Sequence, residues 1–208
     1  MLYVETLLTL RRVRELSTNT RLCVVLLGVL SGAWSLARPA PVTLAAAPQI
    51  WRDESGSAFD LGALRGHPVV VTMAYASCRR VCPTTMQSLR KVQRALDDHG
   101  VAAEVIIVGY DPKDDPSVWQ RYRQKQGLVY PNWHFLSGAE PDIRRFASLL
   151  GFDFWMYDEH VMHDFKIVFI DPQGEVVAGL SWSSRNEALL SQSAAACHFL
   201  NPNGSCPQ

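Results

Sequence analysis

Residues 68–74 read Pro-Val-Val-Val-Thr-Met-Ala, an uncharged run rich in β-branched side chains. Such a run fits a strand, and with no polar alternation it fits one buried on both faces. A strand of that kind needs cover above and below, so the chain must build layers around it. Directly behind it stands Ala76-Ser77-Cys78-Arg79-Arg80-Val81-Cys82-Pro83-Thr84-Thr85. Over 84–99, Met86, Leu89, Val92 and Ala95-Leu96 recur three and four apart, which predicts an amphipathic helix ended by Gly100.

The same alternation continues. Residues 102–108 read as a second buried strand, and the turn Asp111-Pro112-Lys113-Asp114-Asp115-Pro116 opens a helix over 117–126. Residues 133–136 predict a short strand. Pro141 starts a helix running to about Leu150 and stopped by Gly151. Residues 165–170, the turn Asp171-Pro172-Gln173-Gly174 and 175–180 predict a β-hairpin, and 186–198 a last helix. Ahead of the first core strand, Trp51 and Phe59 flank turn residues in a hairpin-like pattern. Strands alternating with helices imply an α/β fold with a mainly parallel sheet, and the closing hairpin makes it mixed. A β-α-β unit followed by a β-β-α unit is the layout of the thioredoxin fold.

The chain has 208 residues, 48% of them apolar, with 20 Lys+Arg against 20 Asp+Glu. That length allows one domain plus extras. A zero formal charge argues against a nucleic-acid binder, which carries a basic face. No phosphate-cradling Gly-rich loop and no internal repeat is visible. The N-terminus stands apart: Arg11, Arg12, Arg14 and Arg21 precede an apolar run of about fifteen residues over 22–36. This is the pattern of a secretory signal, short for a spanning helix, with an anchor as the alternative. The expected organisation is a basic region, signal or anchor and linker over 1–47, a thioredoxin-like domain over 48–198, and a tail over 199–208. Export places the domain outside the cytosol, in the periplasm, where paired cysteines oxidise.

The motif's position sets its chemistry. Cys78 is expected just before the helix and Cys82 in its first turn, where free N–H groups and the helix dipole favour thiolate. Arg79 and Arg80 add positive charge, and Pro83 suits an early helical position. On a helix, residues four apart lie about 5–6 Å apart at Cβ, whereas a disulfide wants about 3.5–4.5 Å. Undistorted, the pair is better spaced to pinch a metal. Asp158-Glu159-His160-Val161-Met162-His163-Asp164, in the approach to the closing hairpin, offers His160, Met162 and His163 as further donors. Two thiolates and an imidazole suit Cu(I), and with an open position Cu(II); a closed zinc site normally shows four ligands. Met162 reads as core, and His67, His99 and His134 as loop or helix-end residues without partners. Trp119, Tyr122, Trp133, Phe152, Phe154 and Trp155 read as core or rim.

Taken together, Cys78-Arg79-Arg80-Val81-Cys82-Pro83, Tyr110-Asp111-Pro112 through Pro116, and His163 eleven residues before Gly174 resemble the Sco/SenC family of thioredoxin-like copper proteins. The resemblance spans roughly residues 48–180. It implies a secreted or membrane-tethered domain that binds copper through Cys78, Cys82 and His163. It also implies a role in assembling the binuclear copper centre of cytochrome c oxidase, by delivering copper or by reducing that centre's cysteines. Asp111 matches a family aspartate near the site and is expected to support it. Two features depart from the pattern. Met162-His163 replaces the usual Asp-His pair, and His160 is a neighbour able to compete as ligand. The Cys197 to Cys206 tail lies outside the pattern; its cysteines are expected to form a disulfide, with an auxiliary metal site beside His198 as the alternative.

The leading expectation is therefore a monomeric copper metallochaperone working by ligand exchange, with an oxidase subunit as client. The rival is an exported thiol–disulfide oxidoreductase, with Cys78 attacking and Cys82 resolving. A peroxidase-like thiol protein is the third reading.

Overall fold

The computed structural model describes residues 43–181, apart from 49, 80 and 159, together with Phe199. Its centre is the run that opened the sequence. β3 (Val69–Ala74) is buried at every position. It pairs in parallel with β4 (Glu104–Gly109), which pairs in parallel with β5 (Trp133–Leu136). On its other side β3 pairs antiparallel with β8 (Lys166–Ile170), and β8 with β9 (Val176–Ser181). The sheet order β5-β4-β3-β8-β9 is the mixed sheet expected, and with its flanking helices the fold is thioredoxin-like.

The helices follow their sequence signals. α1 (Val81–Asp98) buries Met86, Leu89, Val92 and Leu96, the predicted stripe. It starts three residues before the expected position, so Cys82 and Pro83 both belong to its first turn, where a missing proline N–H costs nothing. α2 (Pro116–Gln126) is capped by the Asp115 carboxylate, which accepts from Val118 N–H at 2.9 Å. α3 (Glu140–Leu150) ends at Gly151, whose φ of 67° is left-handed and cheap only for glycine. Lys166 then donates to the Leu150 and Gly151 carbonyls, satisfying acceptors that the helix end leaves open.

The leading hairpin is present as β1 (Ile50–Arg52) and β2 (Ala58–Asp60). It is tied to the sheet beyond β5 by reciprocal backbone bonds between Arg52 and Ser137. From its turn Glu54 accepts from Phe135 N–H at 3.0 Å, occupying a donor of edge strand β5, and pairs with Arg123. Residues 43–47, read from sequence within the linker, pack onto this body: Leu44 is buried and its N–H donates to Gly174 O at 2.9 Å. Phe199 is buried against Phe169 with ring centroids 5.1 Å apart. The last helix expected over 186–198 lies outside the described residues.

One element was absent from the sequence reading. β6 (Phe154–Tyr157) and β7 (His160–His163) form a separate antiparallel hairpin between α3 and β8. Asp158 in its turn takes φ 52°, a conformation that Asp tolerates better than most side chains. Among the described residues no helix is long and apolar enough to cross a membrane.

Candidate metal centre

β3 delivers the chain to the site, and a tight turn follows in which Cys78 N–H donates to Tyr75 O at 3.1 Å. Cys78 therefore precedes the helix, while Cys82 lies within it. The Cys82 backbone N–H donates to Cys78 Sγ at 3.3 Å. Cys78 Sγ thus takes up one of the N–H groups that a helix start leaves without an intrahelical partner. The two cysteines take the places expected of them, Cys78 just ahead of the helix and Cys82 in its first turn. The tight turn and the Cys82 N–H hold the Cys78 sulfur against the helix start. The two cysteines are not joined by a disulfide, and Cys82 is fully buried and Cys78 9% exposed.

His163 reaches the pair from the far end of β7. Its Nε2 lies 3.8 Å from Cys78 Sγ and 3.7 Å from Cys82 Sγ. Its Nδ1 lies 3.0 Å from Asp164 O. A carbonyl only accepts, so Nδ1 carries the proton and Nε2 presents its lone pair to the sulfurs. An imidazole held this way by a backbone carbonyl is the usual outer arrangement of a metal-binding histidine. The three donor atoms lie within 4.8 Å of one another. Rings close the remaining sides: Tyr110 packs tilted on His163 at 4.7 Å and Tyr75 edge-on at 5.6 Å.

His160 does not join this group. Strand side chains alternate between faces, so Val161 and His163 turn inward while His160 and Met162 turn out. The three-donor group therefore holds His163 and not its neighbour His160. Met162, read from sequence as core, is 42% exposed. Asp111 is spent on its own turn, its carboxylate accepting from Lys113 N–H at 2.9 Å. The contact to the motif comes from Asp114, unnoticed in the sequence, whose carboxylate accepts from Ala76 N–H at 2.8 Å. The only signal for it was its place in the same acidic turn. Tyr75, also unnoticed, and Tyr110, singled out only within its turn motif, follow the ends of the neighbouring parallel strands β3 and β4, and strand order is what juxtaposes them. His134, expected to lack a partner, bonds Glu104 at 2.8 Å, and His99 Nδ1 bonds Ala95 O at 2.8 Å. Cys197, His198 and Cys206 lie outside the described residues.

The electrostatics qualify the simple thiolate expectation. The Cys82 thiol is pushed up, first by its hydrogen bond to Cys78, then by burial and by the charge on Cys78. Two adjacent buried thiolates repel, so the metal-free pair keeps a proton. Tyr75 is pushed up to about 12, by burial first and then by Cys78. Tyr110 is also raised, chiefly by burial. Burial raises Asp114 to about 6, against the lowering effect of the Ala76 N–H.

Comparison with known proteins covers most of this body. A SCO1 protein homolog of Bacillus subtilis is 22% identical over 143 residues, 66% of this chain and 74% of the relative. The crystal structure of Arabidopsis thaliana ScoI with copper bound superposes with a TM-score of 0.62 at 16% identity, covering 75% of this chain and 96% of that one. BsSco, described as having a disulfide switch and as a member of the Sco family of cytochrome c oxidase assembly proteins, gives 0.63 at 20% identity, covering 76% and 96%. At these identities the structures establish the shared fold. The SCO1/SenC family model matches residues 49–198, which include the whole three-donor cluster, and the chain belongs to that family.

Proposed function

We propose that this protein is a copper metallochaperone that holds one copper ion between Cys78, Cys82 and His163 and surrenders it by ligand exchange to a copper site of cytochrome c oxidase. The observation that carries this reading is the convergence of two thiols and an Nε2 lone pair within 4.8 Å. Two thiolates and one imidazole form a soft, low-coordinate set, suited to Cu(I) and, with an open position, to Cu(II). Among the described residues no fourth Cys, His, Asp or Glu donor joins the group, which weighs against a closed zinc site. The copper-bound Arabidopsis structure and the oxidase-assembly description of BsSco support the same cargo and client class. Copper must displace the proton that the thiol pair retains, so loading releases acid. The basic, then apolar N-terminal sequence supports export, with the domain working in the periplasm, free or tethered.

Anaerobic Cu(I) titration of the reduced protein, with X-ray absorption to count ligands, tests the assignment. The expected result is one site with two sulfur and one nitrogen donors. His163→Ala is expected to lose more affinity than the about 10–100-fold typical of an outer partner. Unchanged affinity in that variant refutes the three-donor set.

One observation favours a second reading. The sulfurs are neighbours in the reduced state, and Cys82 N–H stabilises charge on Cys78. Thiol–disulfide exchange, Cys78 attacking and Cys82 resolving, uses the same geometry. A His163→Ala variant that loses copper yet retains both disulfide reduction of a client peptide and the protein's role in oxidase assembly favours this reading over metal transfer.

A further inference from the structure

The β6–β7 hairpin carries a second set of soft donors, on the face opposite His163. Strand alternation turns His160 and Met162 outward together. The register sets Trp155 opposite Met162 and Tyr157 opposite His160. Trp155 is 54% exposed, Tyr157 65% and Met162 42%. A thioether, an imidazole and two aromatic rings thus share one solvent face of a four-residue ladder. Folding ordinarily buries such side chains, since each Å² of apolar surface removed from water contributes about 25 cal/mol. A cluster left outside calls for a reason.

The chemistry of the face is specific. A thioether is never protonated and is a poor ligand for hard cations, whereas it and imidazole both suit monovalent copper. Residues two apart on a strand stand about 6.6 Å apart at Cα, a gap that two long side chains on the same face can close over one ion. The indole directly across from Met162 offers its π-face to a cation, and tryptophan is the best of the aromatic rings for that contact.

We propose that His160 and Met162, with the Trp155 indole alongside, form a second, exposed binding site for a soft monovalent cation, Cu(I) or its analogue Ag(I). It stands back to back with the buried cluster, since one strand supplies His163 to the inside and His160 and Met162 to the outside. The site is independent of the cluster's assignment, because it shares no ligand with it.

The test uses the full reduced chain and titrates Ag(I), and anaerobically Cu(I), in the wild type and in Cys78→Ser/Cys82→Ser. The double variant is expected to retain an Ag(I) site that shifts the Met162 methyl resonance and quenches tryptophan fluorescence. His160→Ala/Met162→Leu is expected to lower stoichiometry by one equivalent in either background. Met162→Leu alone keeps the shape and apolar character and removes only sulfur; it is expected to weaken this site at least about tenfold. Far-UV circular dichroism checks that these surface changes leave the fold intact. Unchanged stoichiometry in His160→Ala/Met162→Leu, an unmoved Met162 methyl, or a site that takes Zn(II) and not Ag(I) overturns the proposal. The separate loss of cluster binding in Cys78→Ser/Cys82→Ser bears only on the buried site.

Discussion

His163 can face two sulfurs with a lone pair because its other nitrogen is already committed to the Asp164 carbonyl. The same economy operates at Asp114, whose carboxylate anchors Ala76, two residues ahead of Cys78. Burial raises Asp114 from 3.8 to about 6. The folded state therefore holds this proton more tightly than the unfolded chain does. Stability from this group is full below about pH 4, declines as pH rises toward about 6, and stays lower above that. Asp114→Asn keeps an oxygen for Ala76 N–H and cannot ionise. It is expected to flatten that decline, gaining on the order of 1–3 kcal/mol relative to wild type at neutral pH. Melting temperatures of both proteins from pH 4 to 7 check this; parallel profiles show that the carboxylate is not strained. Sequence reading singled out Asp111 in the same turn, because a local pattern cannot say which of three aspartates points inward.

At the scale of elements, the motif works because a buried strand, a tight turn and a helix start succeed one another within a few residues. That succession was legible in the β-branched run, the helical stripe and Pro83. The β6–β7 hairpin was not legible. Its inner residues Phe154, Val161 and His163 alternate with exposed Trp155, His160 and Met162, so its outer face lacks the polar signal expected of an exposed strand. The β1–β2 hairpin is held by close packing. A Cβ at Gly138 would sit 2.7 Å from Trp51 Cε3 and nearer still to Cζ3. Trp51 cannot yield readily, being 1% exposed and edge-on to Phe146. Gly138→Ala is expected to cost about 1–3 kcal/mol by overpacking. A lowered denaturant midpoint with unchanged slope is the predicted result, and an unchanged midpoint shows that the hairpin can shift freely.

For the molecule as a whole, the donors come from segments some eighty residues apart in sequence, held on one sheet. An ion that binds only this assembled form stabilises the entire fold. At a free Cu(I) concentration one hundred times Kd, the gain is about 2.7 kcal/mol. For a chain of this size that is roughly 5–10 °C in Tm. Anaerobic calorimetry with and without Cu(I) measures it. Protein oxidised to a Cys78–Cys82 disulfide is expected to lose most of the shift, because those thiols are then closed to metal. A full shift in the oxidised protein places the stabilising copper elsewhere.

The sequence by itself determined the layered α/β architecture, the cysteine motif at the first strand–helix junction, and the candidacy of His163. These are local facts: periodicity reports which faces are buried, and spacing reports what shares a turn. Only the tertiary structure decided that Cys78 Sγ accepts the Cys82 N–H at the helix start. It alone turned His163 toward the two sulfurs and His160 to the solvent side, through the face on which a four-residue strand happens to turn. It likewise set Asp114 and two tyrosines around the motif. Those outcomes depend on strand order and register, which pairing across the whole chain fixes and which no short window of residues contains.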